Sequence, residues 1–210
     1  MREIGADASV IAVADVSRKD QAKSIIDTAL KVFGGIDVVV NNAGVVHGGT
    51  ADTLEDSAFE AMLAVNVGGV RNVTLAALEA LRKSRGNVVN VSSVSGMRGD
   101  WSMYGYNASK GAVLLLTQGL ALDLGSEGIR VNAVAPATTN TRLAAPLKQA
   151  PEALAVLNRR IPMGRLVEPE EVASVVSFLA GPDASFVNGV ILPVDGGLSA
   201  SNGQPNFFNP

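Results

Sequence analysis

The 210-residue sequence contains no cysteine and a single histidine, His47. Disulfide scaffolding, thiol catalysis and thiolate metal sites are therefore excluded, and one imidazole cannot build a histidine-rich metal cluster. Charge is also sparse: 17 Lys and Arg stand against 20 Asp and Glu, for a formal net charge of -3 and only 18% charged residues. No electrostatic footprint for nucleic acid or an anionic membrane results. Soluble domains usually carry about 25% charge, so this deficit predicts extensive burial or a large subunit interface. No uninterrupted apolar run approaches the roughly 18 residues that span a bilayer, and Met1-Arg2-Glu3 opens no signal peptide. A cytoplasmic location is expected. What the chain has in quantity is apolar side chains, 47% of the total, which excludes disorder as its main state.

Short β-branched runs punctuate longer helical patterns. The runs lie at 9–14 (SVIAVA), 37–40 (DVVV), 87–91 (NVVNV), 130–135 (RVNAVA) and 190–194 (VILPV). They do not alternate apolar with polar, which suits parallel strands buried on both faces. Between the first two, Ala22, Ile25, Ile26, Ala29, Leu30 and Phe33 recur at helical spacing and Gly34-Gly35 supplies the stop. Further helices are expected over about 57–84, 104–126 and 169–180; in the last, Pro169 suits the first helical position and Glu170-Glu171 the positive end of the dipole. Strand and helix in alternation predict an α/β fold, a doubly wound, mostly parallel Rossmann-like sheet with right-handed crossovers. No repeat or linker interrupts residues 1–200, which read as one domain; 201–210 form a polar tail.

The segment YNASK, 106–110, carries the strongest chemical signal. Tyr106 and Lys110, four residues apart, share one helical face, so an ammonium can sit beside the phenol. Moving a tyrosine from about 10 to about 7 takes roughly 4 kcal/mol of differential stabilisation, much of which one close, partly desolvated cation can supply. Such a tyrosine exchanges protons at neutral pH; the same spacing also arises in helices by chance. Ser93, in NVSSVSG after a strand's carboxyl end, is placed to hydrogen-bond a substrate oxygen, or to cap the turn with Ser92 and Ser95. NNAG, 41–44, offers small residues for close backbone approach, or a loop in which Gly44 supplies a positive φ. Asn66, followed by Gly68-Gly69 inside a long helix, marks a kink or an inserted water, or else an ordinary buried amide.

Taken together, NNAG, the Asn66 helix, NVSSVSG, YNASK, VNAVAPATTNT, IPMGRLVEPEEVA and VILPVDGG resemble, in order and spacing, the single-domain short-chain dehydrogenase/reductase family over residues 6–200. The resemblance implies an NAD(P)-dependent oxidoreductase that interconverts an alcohol and a ketone. Within it Tyr106 would exchange a proton with the substrate oxygen, Lys110 would lower its pKa and hold the nicotinamide ribose, Ser93 would hold the substrate oxygen, and Asn66 would anchor a water linking Lys110 to solvent. Hydride transfer itself belongs to the cofactor. Asp15 and Val16 would meet the adenine; Asn42, Ala43 and Gly44 would lie along the adenosine ribose. Pro136, Ala137, Thr139 and Thr141 would carry the nicotinamide carboxamide, although Gly is usual where this chain has Ala137. Residues 141–163 match the mobile substrate lid. Tyr104, without a lysine four residues on, suits a helix start or substrate pocket, and His47 a solvent-facing loop.

The family's TGxxxGxG turn, which holds the pyrophosphate at a helix N-terminus, has no counterpart here; Gly44, Gly48 and Gly49 come nearest, but Thr50 breaks the spacing. An N-terminally truncated sheet is expected, lacking at least one βαβ unit of roughly 30 residues. The missing strands would fall between the first two runs. Two other readings stay open at this point: a cofactor-free scaffolding subunit of the same fold, and a non-redox epimerase or dehydratase. A homodimer or homotetramer is expected from the family and the low charge, with a small-molecule substrate and neither nucleic acid nor membrane as partner.

Overall fold

Four of the five β-branched runs pair as strands in the computed structural model, which describes residues 9–204. These are β1 (Val38–Asn41), β2 (Asn87–Val91), β3 (Arg130–Pro136) and β4 (Ile191–Val194), all parallel and in the order β1-β2-β3-β4. The crossovers are α1 (Lys19–Phe33), then α2 (Asp56–Met62) running through a π-helical turn (Leu63–Gly69) into α3 (Val70–Ser84), then α4 (Tyr104–Gly125) and α7 (Pro169–Ala180). Short α5 (Ala145–Lys148) and α6 (Pro151–Arg160) occupy the stretch read as a lid.

Two-sided burial explains the continuous apolar runs of the inner strands. On one face Val88 and Val131 pack with Ile26, Leu81, Ala121 and Leu124 from α1, α3 and α4; on the other Val89 and Val134 pack with Leu179 of α7. The parallel, doubly wound architecture is as the sequence predicts. Helix bounds follow their chemistry: α7 opens on Pro169 with a capping box between Glu168 and Glu171, and α1 ends on Gly34 at φ 80°.

Residues 9–14 do not form the expected strand. They run without pairing and are mostly exposed, Val13 at 96%. A β-branched run becomes a strand only where a partner offers a ladder and a surface to cover, and among the described residues no strand lies beside this one. Correspondingly β1 is an edge strand among the described residues, with Val39 and Asn41 buried and Val38 and Val40 exposed. The stretch 205–210 of the predicted tail lies outside the described residues.

The continuous helix Asp56–Ser84 is long and apolar enough, by length and composition, to cross a membrane. Single charged and polar residues interrupt its apolar runs, but an 18-residue window of it still has a mean hydropathy of 1.4. Here Met62, Asn66, Val70, Ala77 and Leu81 are buried in the fold.

Polar side chains cross the sheet interior as a chain of hydrogen bonds. Asn41 Nδ2 donates to Thr74 Oγ1 (3.0 Å) and to Asn90 Oδ1 (2.8 Å), and Asn90 Nδ2 donates to Thr117 Oγ1 (2.8 Å), joining α3, β1, β2 and α4. Every member is buried, so each bond fixes register as well as position. Replacing Asn90 by Ala strips two partners of their bonds and is expected to cost about 2–3 kcal/mol, read as a lower urea midpoint at unchanged slope.

Candidate active site

The site residues gather where β1, β2 and β3 end, at the carboxyl edge of the sheet. After β2 the chain enters a serine-rich turn stitched to α4. Ser92 Oγ donates to the Lys110 carbonyl (2.9 Å) and Ser93 Oγ accepts the Ser95 N–H (3.1 Å), capping the short 3₁₀ turn Val94–Gly96. The capping reading of Ser93 is thus seen, and the same side chain also hydrogen-bonds the Tyr106 phenol. Gly96 permits the contact, because a Cβ there would lie 2.6 Å from the Lys110 carbonyl carbon.

Tyr106 and Lys110 share a face of α4, as their spacing predicts. Lys110 Nζ lies 5.8 Å from the Tyr106 ring centroid and donates to the Val91 carbonyl (2.9 Å). The lysine is only 6% exposed, and that burial pushes its pKa down to about 8. The phenol is not depressed as expected. Burial pushes Tyr106 upward, the Ser93 side chain opposes this by hydrogen bonding, and the Asp100 charge adds to the rise. Desolvation of the phenolate outweighs what an ammonium at this distance supplies.

Asn66 occupies the π turn, the irregularity its helix position predicts. Its amide clamps the loop after β1: Val45 N–H donates to Oδ1 (2.8 Å), and Nδ2 donates to the Val45 carbonyl (2.9 Å) and to Ser109 Oγ (2.9 Å). Ser109 Oγ in turn donates to the Tyr106 carbonyl (2.8 Å). Sequence reasoning passed over Ser109 and Val45. Ser109 stood inside YNASK, three residues after the tyrosine, a spacing that returns its hydroxyl to the Tyr106 carbonyl; Val45 acts through its backbone and leaves no side-chain signal.

Gly44 does not supply a positive φ; it supplies room. A Cβ there would stand 3.3 Å from Asn66 Oδ1 and 3.6 Å from Lys110 Nζ. The space above it is thus bounded by an acceptor with a lone pair to spare and an ammonium whose one acceptor among the described residues is Val91. A polar group entering there meets both. Asn42, Ala43 and Gly44 are exposed beside it, and so is His47.

The other predicted contacts lie farther along the same edge. Asp15 accepts hydrogen bonds from Ser17 N (2.9 Å) and Oγ (2.7 Å), which hold its carboxyl below the usual range, and the Val16 carbonyl accepts from Asn72 Nδ2 (3.1 Å) on α3. Pro136 ends β3, and Ala137 is buried with its N–H on the Val194 carbonyl (3.1 Å), so the methyl group is accommodated. Thr139 Oγ1 donates to the Ala137 carbonyl (3.1 Å) and Thr141 Oγ1 to the Thr139 carbonyl (3.4 Å). Both hydroxyls thus turn back on their own segment. Among the described residues no group of three His, Asp or Glu could hold a metal ion.

A family profile described as Enoyl-(Acyl carrier protein) reductase matches residues 1–199. Meso-2,3-butanediol dehydrogenase of Serratia marcescens is 44% identical over 194 residues, 92% of this chain and 76% of that protein. Among solved structures, gluconate 5-dehydrogenase of Burkholderia cenocepacia, in complex with NADP and tartrate, superposes with a TM-score of 0.90 at 34% identity, covering 95% of this chain and 78% of that one. The 3-ketoacyl-(acyl-carrier-protein) reductase of Brucella melitensis, complexed with NADH, gives 0.87 at 34% identity, covering 95% and 81%.

The buried ammonium has a measurable signature. Because the folded chain holds Lys110 near 8 against an ordinary 10.5, the charge costs roughly 3 kcal/mol below about pH 8, at about 1.4 kcal/mol per pH unit. Above that the folded lysine sheds its proton while the unfolded one stays charged, so the cost fades by about pH 10.5. A Lys110→Met chain is expected to be about 2 kcal/mol more stable than the parent near neutrality, after the lost Val91 bond is subtracted. Urea unfolding across this window should show the advantage shrinking; a difference independent of pH would count against the buried charge.

Proposed function

The chain belongs to the short-chain dehydrogenase/reductase family and is an NAD(P)-dependent oxidoreductase acting on CH–OH and C=O groups, and we propose that Ser93, Tyr106, Lys110 and Asn66 carry that chemistry. The observation that carries this reading is the convergence of the four on one sheet edge, bound together by Ser92, Val45 and Ser109. When bound, the nicotinamide supplies or accepts the hydride. Tyr106 gives its phenolic proton to the carbonyl oxygen in reduction and takes it from the alcohol in oxidation. Ser93 hydrogen-bonds the same oxygen and orients it. Lys110, with N–H groups left beyond the Val91 bond, holds the ribose of the cofactor, and its charge favours the phenolate. Asn66 Oδ1, with Lys110 beside it over Gly44, holds the water through which the proton reaches solvent.

In this reading Asn42, Ala43 and Gly44 flank the adenosine ribose, Asp15 and Val16 the adenine, and Pro136, Ala137, Thr139 and Thr141 the carboxamide. The substrate is a small alcohol or ketone, reached beneath α5 and α6, and the protein works in the cytoplasm. The unpaired β1 edge and the unpaired run at 9–14 support a further part of the reading: added strands seat between them and bring the Gly-rich turn that grips the pyrophosphate. Exposed leucines at 63 and 75 on one helix and at 115 and 122 on α4 support pairing with a second copy, which sedimentation tests.

Replacing Tyr106 by Phe removes the proton and little else. Turnover, followed by NADH absorbance on a panel of alcohols and ketones, is expected to fall by about 10²–10⁴-fold while cofactor affinity holds. Undiminished turnover would remove the acid/base assignment. Titrating the 210-residue chain with NADH tests the added-strand reading: weak binding that tightens when a Gly-rich βαβ segment is joined ahead of Met1 supports it, and equal, micromolar binding by both overturns it.

A further inference from the structure

The loop 92–103 between β2 and α4 carries one acidic side chain whose contacts the reading above does not use. The Asp100 carboxylate accepts a hydrogen bond from the Ser95 hydroxyl. Ser95 in turn donates its N–H to Ser93 Oγ at 3.1 Å. In the other direction, with the Asn107 amide turned to the orientation that satisfies both its neighbours, the Asp100 N–H donates to the Asn107 side-chain oxygen (2.6 Å) and Asn107 Nδ2 donates to the Met103 carbonyl (2.9 Å). Asp100 therefore grips the serine turn behind it with its side chain and the first turn of α4 ahead with its backbone. Ser93 stands on the first of these and Tyr106 on the second.

The loop is held firmly enough to sustain strain. Ser102 sits at φ 57°, a left-handed conformation costly for a residue with a Cβ, and its carbonyl accepts from Gly49 N (2.7 Å). Such geometry persists where the surroundings over-determine it. We propose that Asp100 is a positioning residue: it locks the serine turn onto the first turn of α4 and so holds the Ser93 hydroxyl against the Tyr106 phenol. This rests on the reading of Ser93 and Tyr106 as the pair that handles the substrate oxygen.

Asp100 also acts on the phenol through its charge, which opposes phenolate formation. The remaining charged groups around this turn are few. Lys110 lies one helical turn on, Arg98 of the same loop donates to the Met97 carbonyl (2.9 Å), and His47 is exposed after β1. The α2 side meets Gly105 with Leu54, Phe59 and Met62, which carry no charge. Asp100 is itself exposed, so solvent screens its charge and weakens its effect on the phenol.

Two tyrosines, Tyr104 and Tyr106, are all the chain has. In a Tyr104→Phe background, near-ultraviolet tyrosinate absorbance reports Tyr106 alone and needs no cofactor. Asp100→Asn keeps an acceptor for Ser95 and drops the charge; Ser95→Ala keeps the charge and drops the hydroxyl. The expected signature is opposite in sign: Tyr106 ionises at lower pH in the first and at higher pH in the second. Turnover should fall about 10-fold or more in Asp100→Ala and Ser95→Ala with the cofactor KM unchanged, and less in Asp100→Asn. Should Asp100→Ala fail to fold, as a thermal melt would reveal, the other two variants carry the test. Titrations and turnover matching the parent in Asp100→Asn and Ser95→Ala overturn the proposal. The Tyr106→Phe control separates the two failures: if it alone stays active the acid/base reading falls, whereas if it is inactive while the loop variants match the parent, only the role of Asp100 falls.

Discussion

One buried amide decides how the site holds together. Asn66 is 1% exposed and cannot reach water, so every group it carries must find a partner inside the fold. It does so by taking both backbone groups of Val45 and the hydroxyl of Ser109, which fastens the loop after β1 to α4. The π turn makes this possible, because the extra residue rotates Asn66 off the face it would occupy in a regular helix and aims it across at α4. Without that bulge the amide would stay in the α2–α3 stripe and the loop bearing Gly44 would have no fixed height above Lys110. The loop that bears Gly44 and the helix that bears Tyr106 and Lys110 are thus held to Asn66 by the same three hydrogen bonds.

Burial then sets the electrostatics, and it pulls in two directions. The same desolvation that lowers the Lys110 pKa to about 8 raises that of Tyr106, since each group loses the hydration of its charged form. A protein that buried both without help would hold a neutral phenol beside a partly neutral amine. Two local devices counter this. The Val91 carbonyl takes a hydrogen bond that favours the ammonium, and the Ser93 contact favours the phenolate. A phenol held above its ordinary pKa stays protonated at neutral pH, which is the form the proposed role of Tyr106 in carbonyl reduction needs; under the same proposal the lysine's charge acts on the return of the proton.

Much of this was legible in the sequence, for identifiable reasons. The inner strands showed as continuous β-branched runs because α1, α3 and α4 cover one face and α7 the other, and such runs have few other uses. Tyr106, Lys110 and Ser93 were legible because side chains at helical spacing and at a strand's carboxyl end have fixed directions. The irregularity at Asn66 was legible from a poor helix former beside two glycines. What stayed hidden acts through the backbone or through distance. Val45 contributes only its peptide groups, and Asp100 matters because the loop folds back on Ser95, a closure that no local propensity announces. Gly44 could be read as a special residue but not for the right cause: its value is the space between Asn66 and Lys110, which needs both partners placed first. The direction of the Tyr106 shift was likewise beyond reach, since it depends on how deeply α4 packs and not on spacing.

The run at 9–14 separates propensity from structure most clearly. SVIAVA is as β-branched as NVVNV, yet the second is fully paired and the first is not. Propensity measures how well side chains cover a pleated, half-buried surface, and its benefit of at most about 1 kcal/mol per residue appears only once that surface exists. NVVNV lies between β1 and β3, with hydrogen-bond partners on both edges and helices on both faces. Among the described residues SVIAVA has none of these, and the chain is next held at 16–17, where Asn72 donates to the Val16 and Ser17 carbonyls. The facing edge shows the same deficit: β1 buries one set of side chains and leaves Val38 and Val40 in the open. Two apolar edges exposed at once are a poor arrangement in water, each inviting a strand to pair with it. The Asn72 bonds to the Val16 and Ser17 carbonyls fix this end of the segment on α3. The residues from Gly44 to Thr141 described above lie at the ends of β1, β2 and β3, of which β2 and β3 have neighbours on both sides.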